Sequence, residues 1–143
     1  MKIRFKMMAD CADLAPAKAH PDDAAYDLRS RADLELEPGT STLVPTGLFL
    51  ELPVGYEAQI RPRSGLAAKS GITLLNTPGT IDAGYRGEVA CILFNTTGMP
   101  YEVRRGDRIA QMVIARLPDV ELVECEELSE SERADGGFGS TGK

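Results

Sequence analysis

No apolar run in this chain approaches the ~18 residues that a bilayer-spanning helix requires. The N-terminal Met-Lys-Ile-Arg-Phe-Lys alternates charged with apolar side chains and has no secretion-signal core, which predicts a cytoplasmic protein with no membrane partner. Cysteine is scarce as well. Cys11, Cys91 and Cys125 are odd in number and widely spaced, which argues against a disulfide framework and fits a reducing compartment. His20 is the only histidine, so no His/Cys set has the spacing of a zinc site. A Ser-His-Asp mechanism would have to run through it, and nothing around it supports one. A broad basic field is missing too: net charge is −6, so nucleic acid is not an expected partner.

What is present is ordinary in amount and uneven in placement. Apolar residues make up 43% and charged residues 27%, as in soluble globular domains. A chain of 143 residues suits one domain that buries roughly two-thirds of its unfolded surface. Residues 119–135 hold eight acids and one base, Arg133, leaving 14 acids against 15 bases elsewhere. That acidic stretch reads as a solvated face. The centre, 61–108, carries seven Lys/Arg against four acids, a local basic spot that suits a small polyanion such as a nucleotide phosphate tail.

Short strand-like runs dominate the chain. Residues 2–8 alternate Lys2, Arg4 and Lys6 with Ile3, Phe5 and Met7, the period of a half-buried strand. Residues 10–23 show no period and read as loop. Strand character returns at 24–30, at Leu34 and Leu36, and at 41–52, which reads as two runs broken at Pro45 and Gly47. After 56–61, the segment 63–70 is the one internal stretch with helical character. Residues 71–76 and 88–94 are apolar runs around a turn with Gly84 and Gly87, a β-hairpin pattern. Residues 101–104 and 108–115 follow as strands, and 120–125 alternates Val120 and Leu122 with acids. Gly and Pro punctuation between short strands predicts an all-β, jelly-roll-like domain over 1–132. Residues 133–143 have four glycines and almost no apolar partner, so they read as a flexible tail.

Several polar residues stand out against this pattern, each with a bland alternative. Arg63-Ser64-Gly65 opens the short helix: Ser64 could be an N-cap, and the arginine with the helix-start amides could bind an anion. Asp82 and Tyr85 leave the same turn, as turn former and packing residue or as base and platform. Asp27 is an acid inside a strand and invites a cationic partner. Gln111 interrupts an apolar strand and either bonds locally or reaches into a site. Asn76 ends its strand, where it could simply close the turn. Gly137 to Lys143 superficially fits a phosphate-binding loop, but the strand, the hydroxyl after the lysine and the helix of that motif are absent. Its amides, with Ser140, Thr141 and Lys143, could still wrap a phosphate.

Taken in order, five segments resemble the motifs of the homotrimeric dUTP pyrophosphatases (dUTPases). They are Ala-Ala-Tyr-Asp-Leu-Arg-Ser (24–30), Arg-Pro-Arg-Ser-Gly-Leu-Ala (61–67), Gly-Thr-Ile-Asp-Ala-Gly-Tyr-Arg-Gly (79–87), Gly-Asp-Arg-Ile-Ala-Gln-Met (106–112) and Arg-Ala-Asp-Gly-Gly-Phe-Gly-Ser-Thr-Gly (133–142). One departure is Ala25, where that family commonly has Gly; alanine is tolerable there unless the backbone needs positive φ. The resemblance implies a jelly-roll-like (β-clip) trimer with three shared active sites, converting dUTP to dUMP and pyrophosphate with Mg2+. It implies Asp82 as the general base that aims water at the α-phosphate. Tyr85 would lie under the deoxyribose and Asn76 at the uracil edge. Arg63, Ser64, Gly65 and Gln111 would hold phosphate oxygens, and Asp27 would hold the metal through water. From the tail, Arg133 would reach the outer phosphates, Phe138 would stack on uracil, and Gly139, Ser140 and Thr141 would complete the phosphate grip. Two other readings stay open. A dCTP deaminase-like enzyme would need a glutamate-centred site, and a nucleotide-controlled trimeric interaction module would need no turnover.

Overall fold

The computed structural model describes residues 1–131 and Ala134, and over them the protein is built almost wholly of antiparallel strands. Ten strands run in order: β1 (Arg4–Met7), β2 (Tyr26–Arg29), β3 (Leu34–Leu36), β4 (Ser41–Glu51), β5 (Tyr56–Arg61), β6 (Ile72–Leu74), β7 (Gly79–Ile81), β8 (Glu88–Asn95), β9 (Tyr101–Val103) and β10 (Arg108–Arg116). Among the described residues the single α-helix, α1, spans Ser64–Ser70. It stops at Gly71, whose φ of +64° is left-handed and whose amide closes the last turn onto the Ala67 carbonyl.

Two four-stranded sheets form the body, in the orders β1-β4-β8-β6 and β2-β10-β5-β7, with β3-β9 as a small third pair. Strict alternation makes the core. On β8, Val89, Cys91, Leu93 and Asn95 turn inward while Glu88, Ala90, Ile92 and Phe94 turn away. Leu28, Val44, Leu48, Ala58, Ile60, Ile72, Ile109 and Met112 complete the layer between the sheets. Buried Asn95 is fully satisfied, donating to the Leu36 and Met99 carbonyls and accepting from Thr97. Burial pushes the Cys91 thiol up to about 12, so it is a small apolar side chain here rather than a nucleophile. No helix of the described residues is long and apolar enough to cross a membrane.

The all-β expectation holds, with four changes of detail. Residues 41–52 do not form two runs: β4 is one strand, with a bulge between Pro45 and Leu48. Thr46 and Gly47 have no partners in the ladder, and Gly47 has a φ of +72°. A side chain at Gly47 would also strike Cys11, whose Sγ lies 2.8 Å from the site of a Cβ. Second, residues 71–94 are more than a hairpin. β6 and β8 do pair, but the chain between them crosses to the other sheet and adds β7 beside β5. Third, the 10–23 segment contains a 3-10 turn at Ala12–Leu14 that buries Leu14, and Ala17 bridges to Asp27. Finally, 120–125 forms no strand; Val120 and Leu122 alternate with acids but have no sheet edge, and both are exposed. The tail of 133–143 lies outside the described residues apart from Ala134.

Candidate active site

The pairing of β2, β10 and β5 gathers residues that are far apart in sequence. Asp27 sits opposite Gln111, and Gln111 sits opposite Arg61, just before the chain turns through Pro62 into α1. The result is a cleft of about 280 Å³ lined by Asp23, Ala25, Asp27, Arg63, Ser64, Gly65, Arg108 and Gln111. Gln111 donates to the Pro62 carbonyl at 2.8 Å, which ties the strand to the turn before α1. Asp27 takes an ion pair on each oxygen: Oδ1 from Arg63 Nε at 3.0 Å and Oδ2 from Arg108 Nη1 at 3.1 Å. The cationic partner that an acid inside a strand requires is therefore present twice.

Ser64 does not cap α1. Arg63 occupies the N-cap position, and the helix start has no side-chain capping hydrogen bond. Ser64 is instead the first helical residue, exposed, with its place on the cleft wall. The positive charge beside Ser64 comes from Arg63 and Arg108 rather than from the seven-residue helix, and Asp23 and Asp27 oppose it in the same cleft. Ala25 is not among the positive-φ residues, so alanine fits that position without backbone strain.

Asn76, Asp82 and Tyr85 lie elsewhere on the chain, around the two ends of β7, and are not among the lining residues of this cleft. All three are exposed. Their loop is braced from within. The Tyr85 amide donates to the Asp82 carbonyl at 3.1 Å, and Arg86 Nη1 donates to the Ala83 and Tyr85 carbonyls at 2.7 and 2.9 Å. The Tyr85 hydroxyl donates to the Glu88 carbonyl at 2.9 Å. Its ring crosses directly over Gly87, where a Cβ would lie 2.5 Å from the ring Cζ. Glu88 anchors this arrangement: its Oε1 accepts from Arg31 Nε at 2.8 Å and from the bulge amide of Gly47 at 2.7 Å. Those donors, Arg31 first, hold its carboxyl below the usual range against the opposing effect of burial.

The five motif residues Asp27, Arg63, Ser64, Gly65 and Gln111 thus meet in one cleft, and Asn76, Asp82 and Tyr85 lie outside it, at the two ends of β7. The dUTPase family model matches residues 13–142. The chain belongs to the dUTPase family. It is 51% identical over 143 residues to the deoxyuridine 5'-triphosphate nucleotidohydrolase of Nautilia profundicola, covering all of both chains. Among solved structures it is similar to a variant of the Staphylococcus bacteriophage 80alpha dUTPase with dUpNHpp. That likeness has a TM-score of 0.90 and 29% identity over 99% of each chain. It is also similar to a variant dUTPase from phage phi11 of S. aureus, described for its coordination of a structural Mg(II) ion. There the TM-score is 0.81 and the identity 25%, over 89% of this chain and 98% of that one.

For a dUTPase-family chain, the donor set bears on the metal. Among the described residues no group of three or more His, Cys, Asp or Glu could hold an ion. Asp23 and Asp27 are the acids of the cleft, and both Asp27 oxygens are engaged by arginines. This fits a magnesium ion carried on substrate phosphates, which keeps most of its waters, and does not fit a resident cage.

Sequence reasoning overlooked Arg108, Glu88 and Arg31. Arg108 opens the strand-like run 108–115 and lies within the Gly-Asp-Arg-Ile-Ala-Gln-Met segment, where the resemblance gives a role only to Gln111. Glu88 carried the same signal as Asp27, an acid entering a strand, and the same demand for a partner would have exposed it. Arg133, Phe138, Gly139, Ser140 and Thr141 lie outside the described residues.

Proposed function

We propose that this chain hydrolyses dUTP to dUMP and pyrophosphate by attack of water on the α-phosphate. The observation that carries the reading is the cleft itself. Asp27, Arg63, Ser64, Gly65 and Gln111 come from three separate segments, and the fold brings them to one wall with cationic and hydrogen-bonding groups aimed together. Guanidinium, hydroxyl and amide donors suit phosphate oxygens. Phosphoryl transfer asks mainly for positioning and charge stabilisation, and that is what such a wall offers.

In this reading Asp82 orients water in line with the bond to be broken and takes its proton. Tyr85 supports the deoxyribose and leaves no room for a ribose hydroxyl, so UTP is rejected by shape. Asn76, with neighbouring backbone, hydrogen-bonds the uracil edge. Cytosine inverts a donor and an acceptor there, and each unpaired buried group costs about 1–3 kcal/mol. From the tail, Arg133 reaches the outer phosphates, Phe138 covers the base, and Gly139, Ser140 and Thr141 complete the enclosure. Magnesium, when bound, neutralises triphosphate charge, and Asp27 would hold it through water.

The separation of these residues from the cleft supports a shared site. Within one chain the phosphate wall does not include Asn76, Asp82 or Tyr85, so a homotrimer in which one protomer's wall faces the ends of its partner's β7 completes the constellation. Apolar side chains left exposed on the β1-β4-β8-β6 sheet and beside it, Leu43 at 64% and Leu75 at 57%, give such an assembly something to bury. Free cysteines at 11, 91 and 125 suit a reducing cytoplasm. A deaminase is disfavoured because the cleft acids are aspartates, and Glu88 is committed to Arg31 and Gly47.

The test is pyrophosphate release measured across dUTP, dCTP, dTTP and UTP with magnesium. Release from dUTP almost alone is expected. Ammonia from dCTP, or no pyrophosphate from dUTP, would overturn the assignment.

A further inference from the structure

The cleft contains a cation to which the resemblance assigns no role, and a local irregularity aims it. Along a regular strand Arg108 and Gln111 would point to opposite faces of the sheet. In β10 the register shifts between Arg108 and Ala110: Arg108 pairs with Arg29 and Ala110 with Leu28, so Ile109 is an extra residue. Ile109 and Ala110 are consequently both buried, and Arg108 turns to the same side as Gln111. Bulges of this kind re-aim side chains beside sites.

Once there, Arg108 is tied to Asp27 through a single nitrogen at 3.1 Å, and its backbone carbonyl accepts from Arg63 Nη1 at 3.2 Å. Asp27 in turn grips Arg63 with its other oxygen. The carboxylate is thus a hub with a guanidinium on each side. Its side chain is only 17% exposed, whereas that of Arg108 is 44% exposed and opens toward the cleft. We propose that Arg108 is a further phosphate-binding residue of this site, and that Asp27 is a positioning residue that holds Arg63 and Arg108 for the incoming phosphates. The proposal rests on the phosphate-site reading above and adds a task for Asp27 that does not pass through magnesium.

Two kinds of pull act on a phosphate when Asp27 is neutralised, and they have opposite signs. Removing a negative charge beside an anion would tighten its binding. Releasing two long, entropic arginine side chains from their fixed pose would weaken it. The experiment is calorimetric binding of dUpNHpp in EDTA to wild type, Asp27→Asn, Arg108→Gln, Arg108→Lys and the double variant Asp27→Asn/Arg108→Gln. Far-UV circular dichroism on each sample restricts the comparison to folded protein. Asp27→Asn and Arg108→Gln are each expected to weaken metal-free binding on the order of tenfold. The double variant should lose less than the product of the two, because one acts through the other. Arg108→Lys should recover part of the loss.

Unchanged or tighter metal-free binding by Asp27→Asn would overturn the positioning role and leave Asp27 to magnesium alone. Unchanged binding by Arg108→Gln would overturn the contact. Neither result would touch the assignment of activity, which stands or falls on pyrophosphate release by the wild-type chain with magnesium.

Discussion

Glu88→Gln tests whether the loop carrying Asp82 and Tyr85 is held from outside itself. The variant is isosteric, so geometry is kept while charge is lost. Its retained oxygen can still accept from Arg31 Nε and the Gly47 amide, the 2.8 and 2.7 Å contacts of the wild type. The Gly47 bond, however, becomes neutral on both sides, which roughly halves it, and the Arg31 bond keeps its charged donor but loses the ion pair. The new amide NH2 then faces Arg31 Nη2, a donor against a donor where the carboxylate accepted at 3.3 Å. Charged hydrogen bonds contribute about 1.5–3 kcal/mol and neutral ones about 0.5–1.5, so the Gly47 downgrade costs about 1–1.5 kcal/mol, and the lost ion pair with the donor clash at Arg31 brings the sum to roughly 2–3 kcal/mol. The Glu88 side chain is 24% exposed, and screening brings the expectation to about 1–2 kcal/mol.

The assay is urea unfolding followed by far-UV circular dichroism at one fixed protein concentration, since the chain has no tryptophan to report. With a slope of about 1–3 kcal/mol per molar urea, the midpoint should fall by roughly 0.5–1 M at neutral pH. The sign with pH is fixed by the lowered carboxyl. Its contribution is complete above the ordinary value of 4.5 and is lost as pH falls through the lowered folded value. Wild type and variant should therefore converge in acid. A neutral-pH midpoint equal to wild type would refute the clamp. So would a gap that persists unchanged in acid.

The remaining predictions concern the site. Gly87→Ala should push the Tyr85 ring off its place and erode discrimination between dUTP and UTP, read as the ratio of kcat/KM values. An unchanged ratio would mean the ring does not select the sugar. Asp82→Asn should abolish turnover while dUpNHpp still binds in calorimetry, and loss of binding as well would make Asp82 structural. Deleting 133–143 should leave the sedimentation behaviour of the assembly intact and collapse activity; a shift to monomer would instead assign the tail to assembly.

Alternation in β8 and the Gly/Pro punctuation made the all-β architecture legible, because period-2 burial is a local property of sequence. What escaped was non-local. That β7 leaves the β6–β8 hairpin to join β5 depends on which sheet edge is open, and no window of residues 71–94 contains that information. In sequence the bulge in β4 looks like a break, because Pro45 and Gly47 signal interruption without saying whether the strand resumes in the same sheet. Asp27, Arg63, Ser64, Gly65 and Gln111 could be placed together from the order of the motifs. The engagement of Arg108 depends on one extra residue, Ile109, and emerges only when the ladder is laid out.

The Thr46–Gly47 bulge bears on how β4 settles beside β8 during folding. A slip of one residue would turn Val44 and Leu48 out of the core, and the apolar pattern rejects it. A slip of two keeps every side chain on its own face, so hydrophobic alternation is blind to it. In that arrangement the Gly47 amide would no longer meet Glu88, and a half-sheltered carboxylate would lose its shortest contact. The Thr46 hydroxyl would lose the Val89 carbonyl, 2.5 Å away. Polar groups freed by the bulge thus act as a gauge that recognises the one alignment apolar packing cannot tell from its neighbours.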